Sequence, residues 1–257
     1  MQSPWGKTVG IDEHSFVRNK KYGHREFASV FVDFNASRIR EVVQGRYGAD
    51  YWADKNLLSI PGREGVKNVV IDFAPSMRSF AREFFPNAKI VADKFHLVRL
   101  ANHAVNMKRL EALKDPKSYL SKNRKSPLRK MLLMNGKKLH FFQKRALSYT
   151  FDFHRELEAC YRVKEMIHEL YQIRGHKRAS KALTRITDFI ASLKIEILKP
   201  LRKTLMGWRK EILNYFKRRI TNGKTEGFNR KAKLIQRQAY GFKKFENYRL
   251  KLIYLCR

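Results

Sequence analysis

Three short apolar runs in the first hundred residues each end in an aspartate, and no other feature restricts the folds open to this chain so strongly. They are Val9-Gly10-Ile11-Asp12, Val69-Val70-Ile71-Asp72 and Ile90-Val91-Ala92-Asp93. Runs this short, rich in β-branched residues, read as buried strands over 8–12, 66–72 and 89–93. Two more strands are expected at 26–33 (EFASVFVD) and Arg38–Gln44, the second alternating and suited to a sheet edge. Asn35 between them is a turn signal, so the pair should form a hairpin. Helices are expected over about 49–59, ended by Pro61-Gly62, and from Pro75 and Ser76 to about Phe85, stopped by Pro86. A further helix should start at Lys94.

The predicted order is strand, strand, strand, helix, strand, helix, strand, helix. Three strands joined by short turns and then strand–helix units predict an α/β fold with a ribonuclease-H-like mixed sheet. The later part of the chain reads as helical. Residues 177–198 carry Ala179, Leu183, Ile186, Ile190, Leu193 and Ile197 at spacings of three and four. Pro200 separates this from a helix over 201–216, and Leu157, Cys160, Ile167 and Leu170 mark one upstream that ends at Gly175. The stretch 114–130 (KDPKSYLSKNRKSPLRK) is polar and breaker-rich and reads as a loop or linker.

Charge divides the chain unevenly. The formal net charge of the 257 residues is +33. Residues 1–100 hold 16 basic and 11 acidic groups, whereas residues 101–257 hold 40 and 12. The excess predicts a polyanionic partner, nucleic acid before an anionic membrane. No run of about 18 apolar residues could form a transmembrane helix, and no helix is expected to present the wide aromatic face that membrane-surface binding needs. The start, MQSPWGKTVG, lacks the apolar stretch of a secretion signal. Cys160 and Cys256 stand far apart, which gives neither a disulfide framework nor a zinc knuckle and predicts a reducing cytoplasm.

The chemistry is carried by carboxylates. Aspartates at the ends of neighbouring buried strands converge at the sheet's rim and make a hard-oxygen site for Mg²⁺. Two such ions can clamp an in-line phosphoryl displacement. The competing reading is that each aspartate caps the next helix. It fits Asp93, which directly precedes a helix; it fits Asp12 poorly, because Glu13-His14-Ser15 begins no clear helix; for Asp72 both readings stand.

Glu226 is notable for its surroundings. It is the only acidic residue between Glu211 and Glu246, while ten basic residues occur from Lys217 to Lys244. One reading makes it the ion-pair partner of Arg230, four residues on. The other uses the face it shares with Asn229, Arg230 and Lys233 on a helix after the Asn222-Gly223 turn, a face able to meet metal and phosphate together. Arg237 extends the same basic series.

Four segments together resemble bacterial insertion-sequence transposases with a DDE catalytic core, the ISL-three family. They are GIDEHSF (10–16), VVIDFAPSM (69–77), FFPNAKIVADKFHLVRLAN (84–102) and TNGKTEGFNRKAKLIQRQAYGFKKFENYRLKLI (221–253). The resemblance implies that Asp12 and Asp72 are the two catalytic aspartates and Glu226 the glutamate. It also implies a large helical insertion before the glutamate helix. The core would then comprise 1–112 and 217–257, interrupted by a basic helical insertion over 113–216. Asp93 and His96 match the family's Asp-x-x-His signature; His96 would support the reaction beside the scissile phosphate, and Asp93 would orient His96, cap its helix or lend a metal ligand.

The expected activity is that of a DNA transposase using two Mg²⁺ or Mn²⁺ ions for strand cleavage and strand transfer. Its partner would be double-stranded DNA, both element ends and target, gripped by a homo-oligomer in the cytoplasm at the nucleoid. Asn229, Arg230, Lys233 and Arg237 would contact DNA, and Lys20, Lys21 and Arg25 in the turn between the first two strands would touch its backbone or form a solvated hairpin tip. The family also carries an N-terminal zinc cluster and helix-turn-helix for end recognition. This chain starts just before the Asp12 strand and has no CxxC pair, so sequence-specific end recognition is expected outside it. Two other classes remain open on sequence: a non-catalytic DNA-binding remnant, and a ribonuclease-H-like nuclease acting on RNA or branched DNA.

Overall fold

The computed structural model describes residues 3–18, 25–114 and 127–256. Two compact units result, one from residues 1–93 and 218–257, the other from residues 94–217.

The first unit is built on a five-stranded mixed sheet. Its strands are β1 (Thr8–Arg18), β2 (Arg25–Asp33), β3 (Arg38–Gln44), β4 (Asn68–Ile71) and β5 (Lys89–Ala92). Their order is β3-β2-β1-β4-β5. β1, β2 and β3 pair antiparallel, and β1–β4 and β4–β5 pair in parallel. This α/β arrangement is compatible with a ribonuclease-H-like fold. β3 is an edge strand, and it forms a hairpin with β2 around the turn at residues 34–37.

Three short helices, α1 (Gly48–Ala53), α2 (Lys55–Leu58) and α3 (Pro75–Phe84), cover one face of the sheet. Tyr51, fully buried, packs edge-on against Phe31 and Phe80 with centroids 5.4 and 4.9 Å away. The single helix expected over 49–59 is divided at Asp54, whose carboxylate caps α2 by accepting from the Leu57 amide.

The second unit contains α4 (Lys94–Lys114), α5 (Leu128–Leu133), α6 (Phe141–Phe153), α7 (Arg155–Leu170), α8 (His176–Leu193), α9 (Lys199–Gly207) and α10 (Arg209–Arg218), whose last residue belongs to the sheet unit. Buried Leu157, Cys160, Val163, Ile167 and Leu170 form the inner stripe of α7. Lys164 is fully buried on that helix because its ammonium donates to the Leu132 and Met134 carbonyls and meets Glu165 at 2.5 Å. α8 stops at Leu193, since Lys194 adopts a left-handed conformation (φ 53°) that cannot continue a helix. The helix expected over 201–216 is two, parted at Trp208, the C-cap of the first. Most of the segment expected to be a linker, residues 115–126, lies outside the described residues.

α6 corrects one expectation. Phe141, Phe142, Tyr149 and Phe153 are all exposed on it, so a wide aromatic face does exist; Leu147 and Thr150 are the buried positions of the helix and leave the rings on the other side. Among the described residues no helix is long and apolar enough to cross a membrane.

The chain then returns to the sheet with α11 (Gly223–Gln238) and α12 (Phe245–Leu255). Their buried Ala232, Ile235, Tyr248, Leu252 and Cys256 share one core with Phe16, Ala28, Val30, Val32, Ile39 and Val42. Ala28, Val30 and Val32 are on the face opposite Phe31, as the two-residue period of a strand requires, and the register shift in the β2–β3 ladder brings Ile39 to the face of Val42. At the edge, Arg249 on α12 makes a bidentate pair with buried Glu41 on β3 (2.5 and 2.6 Å).

Candidate active site

The β-sheet register brings the strand aspartates into one row. Gly10 pairs with Val70, and Ile71 pairs with Ala92, both in parallel. Continuing each register to the next residues sets Asp12 beside Asp72 and Asp72 beside Asp93. The sequence intervals between the three aspartates, 60 and 21 residues, are the two register offsets. Asp12 and Asp72 bring carboxylate oxygens within 4.8 Å of one another. A pair of hard oxygens at that separation fits a divalent cation of the Mg²⁺ type.

The three aspartates differ in local setting. Asp12 does not end its strand: β1 runs on to Arg18, because antiparallel pairing with β2 continues after the parallel pairing with β4 has stopped at Gly10. Its side of β1 facing β4 is thus at a strand end, while the other side remains in the ladder. Asp72 does not occupy the N-cap of α3, a position held by Ala74. Asp93 is buried and immediately precedes α4, the cap position.

Asp12 is held on both oxygens. Oδ1 accepts from the Glu13 amide and Oδ2 from the Asn229 side chain, each at 2.8 Å. Asn229 reaches it because α11 packs on β1, and Gly10 makes that approach close. A Cβ on Gly10 would meet the Thr225 hydroxyl at 2.0 Å and the Phe34 ring at 2.5 Å. Two residues beyond Asp12 on the same face, His14 is also buried, and its Nε2 meets the Tyr248 hydroxyl at 2.5 Å. Burial lowers the His14 pKa to about 4; nearby Lys233 adds to the fall and Asn229 opposes it.

The other predicted residues are distributed as follows. Glu226 is half-buried near the start of α11, and its carboxylate pairs with Arg230 at 2.6 Å. Neither Glu226 nor Asp93 brings a carboxylate oxygen within 4.8 Å of both Asp12 and Asp72. Asn229 is 6% exposed and turned to Asp12, whereas Arg230, Lys233 and Arg237 are exposed along α11. His96 is half-buried on the first turn of α4, in the helical unit. Arg25 is the first residue of β2. Lys20 and Lys21 lie outside the described residues. Sequence reasoning did not single out Gly10, His14 or Tyr248. His14 carried a usable signal, since a two-residue step along a strand puts it on the face of Asp12; Tyr248 carried none, being 234 positions away from His14.

The profile of a transposase family, the DDE transposases of the ISL-three type, matches residues 9–252. The chain belongs to that family. It is similar to the transposase for insertion sequence element IS1557 of Mycobacterium tuberculosis, 23% identical over 259 residues that cover 92% of this chain and 57% of that protein. It is also similar to the transposase for IS1001 of Bordetella parapertussis, 24% identical over 256 residues that cover 96% of this chain and 61% of the relative. The chain therefore spans about three fifths of the length of these curated relatives.

Proposed function

We propose that this chain is the catalytic region of an insertion-sequence transposase, a ribonuclease-H-like core of residues 1–112 and 217–257 interrupted by a basic helical insertion over 113–216. The observation that carries the reading is the approach of the Asp12 and Asp72 carboxylates, to within 4.8 Å, beside a helix of the same unit that bears Glu226. The reaction is hydrolysis at the element ends, which frees a 3′-hydroxyl, followed by attack of that hydroxyl on a target-DNA phosphate. Two Mg²⁺ or Mn²⁺ ions, when bound, would supply nucleophile activation and stabilisation of the leaving oxygen.

The chain's residues divide the work. Asp12 and Asp72 would hold the ions. Glu226 would complete the ligand set once free of Arg230; the pair is 44% and 78% exposed, and an exposed i,i+4 pair is worth only about 0.3–0.5 kcal/mol. Arg230, Lys233 and Arg237 place positive charge along the exposed side of α11 for DNA phosphates, and Lys20, Lys21 and Arg25 add a second basic contact. His96 supports the site, and Asp93 orients or caps. The active form is a homo-oligomer on double-stranded DNA in the cytoplasm, at the nucleoid.

The test is a Mg²⁺ or Mn²⁺ cleavage and strand-transfer assay on duplexes carrying element ends. Asp12→Asn, Asp72→Asn and Glu226→Gln are each expected to abolish the reaction while DNA binding persists. Full activity in any of the three would remove that residue from the site. Cleavage of RNA–DNA hybrid or junction substrates in preference to duplex ends would favour a nuclease, and binding without any cleavage a DNA-binding remnant.

A further inference from the structure

Three buried polar side chains stand behind Asp12 without a part in the reaction proposed above. Asn229, His14 and Tyr248 are 6%, 3% and 0% exposed and come from α11, β1 and α12. Polar groups taken this far from water persist where they are hydrogen-bonded, because each costs stability otherwise. Two of their bonds are in place: the Tyr248 hydroxyl to His14 Nε2 at 2.5 Å, and Asn229 Nδ2 to Asp12 Oδ2 at 2.8 Å.

The direction of these bonds determines what is left over. Asn229 gives its N–H to a carboxylate, so its second function is the acceptor Oδ1. An imidazole that accepts from the Tyr248 hydroxyl at Nε2 carries its hydrogen on Nδ1. The remaining atoms, Nδ1 of His14 and Oδ1 of Asn229, are both buried and have no hydrogen-bond partner. Both side chains adjoin Asp12, His14 two residues along the same face of β1 and Asn229 through its hydrogen bond. Pairing these two orphaned atoms would close a chain in which every donor points toward Asp12: Tyr248 O–H to His14, His14 Nδ1–H to Asn229, and Asn229 N–H to the carboxylate.

We propose that Tyr248, His14 and Asn229 form a positioning relay that fixes the plane of the Asp12 carboxylate for a divalent cation shared with Asp72. The inference rests on Asp12 being a metal ligand. None of the three touches the reacting atoms; they act through Asp12. The relay gives α12, distant from the strand ends in sequence, a reason to carry a buried tyrosine. It also makes Asn229 a support of the site rather than a DNA contact.

Mn²⁺ binding to the full chain, measured by titration calorimetry, tests the relay apart from activity. Outer partners of metal ligands typically set affinity by roughly 10–100-fold, and a loss in that range is expected for Asn229→Ala. His14→Asn keeps an amide at the Nδ1 position and should restore most of the affinity that His14→Gln, with its amide at the Nε2 position, loses. Tyr248→Phe removes one oxygen at constant shape and should weaken binding in the same direction. In cleavage assays the relay variants should need more Mn²⁺ for half-maximal rate and regain the rate at saturation, a split that simple unfolding does not produce. Wild-type affinity in Asn229→Ala, or equal losses in His14→Asn and His14→Gln, overturns the relay. Should the alanine and histidine variants melt early, Tyr248→Phe decides alone, and wild-type affinity there overturns it. Asp12→Asn separates the two levels: if it binds Mn²⁺ normally, the metal reading fails, and if it loses Mn²⁺ while Asn229→Ala does not, only the relay fails.

Discussion

At the scale of single residues, the row of strand aspartates depends on a missing side chain as much as on the carboxylates. Gly10 is the residue of β1 over which the start of α11 lies, with the Thr225 hydroxyl and the Phe34 ring in the space a Cβ would take. Both are parts of a packed layer, so adding a methyl group there forces a shift of the helix that carries Glu226 and Asn229. Gly10→Ala should therefore lower stability by about 1–3 kcal/mol and weaken divalent-ion binding. Gly65 has nothing within 4 Å of its Cβ position, so Gly65→Ala should change stability by less than about 0.5 kcal/mol. Urea unfolding of the two variants checks the contrast. Asp12 and Asp72 were legible from sequence because strand runs ending in acid are a local pattern. The role of Gly10 was not, since the residue that fills its notch lies at position 225.

At the scale of elements, the strands were the readable part and the helix ends the less readable part. β-Branched runs mark strands in any context, but where a helix breaks is decided by caps and packing. α12 shows what holds a late element to an early one. The Glu41 carboxyl is raised above its usual 4.5 by burial, against the pull of its hydrogen bonds to Arg249. A raised folded-state pKa means that the folded chain binds more protons than the unfolded chain above pH 4.5, so this group's contribution falls as pH rises through that window. Removing Arg249 removes the opposing pull and widens the window. Arg249→Met should cost roughly 3–5 kcal/mol by leaving Glu41 buried without its partner, and its thermal midpoint should drop further as pH is raised above 4.5. A variant whose stability is independent of pH there would remove Glu41 as the cause.

At the scale of the whole molecule, charge is apportioned differently from its order along the chain. Read linearly, residues 101–257 carry 28 of the 33 net charges. Residues 218–257, with 12 basic and two acidic groups, belong to the sheet unit, so that unit carries +13 and the helical unit +20. α11 thus brings basic groups back to the unit of the aspartates. DNA affinity should fall steeply with salt, on the order of a thousandfold between 50 and 200 mM for six or more phosphate contacts. Arg230→Gln, Lys233→Gln and Arg237→Gln combined should make the slope of log affinity against log salt shallower by about 2–3. Anisotropy titrations on unrelated duplexes should give the same change for each, since phosphate contacts carry no sequence information.

The amino-acid sequence by itself determined the strands, the amphipathic helices, the spacing of the aspartates and the excess of basic charge, because each is written in neighbouring residues. The tertiary structure decided what those residues meet. Parallel register turned intervals of 60 and 21 residues into a row of aspartates. The return of α11 and α12 to the sheet set Asn229 against Asp12 and Tyr248 against His14, 217 and 234 positions away in the chain. It also left Glu226 on Arg230, a pairing that one helical turn allows and that only the surroundings of the helix could have replaced. Local patterns report propensity and periodicity; long-range contacts follow from which faces must be buried together, and that is settled by the assembled core.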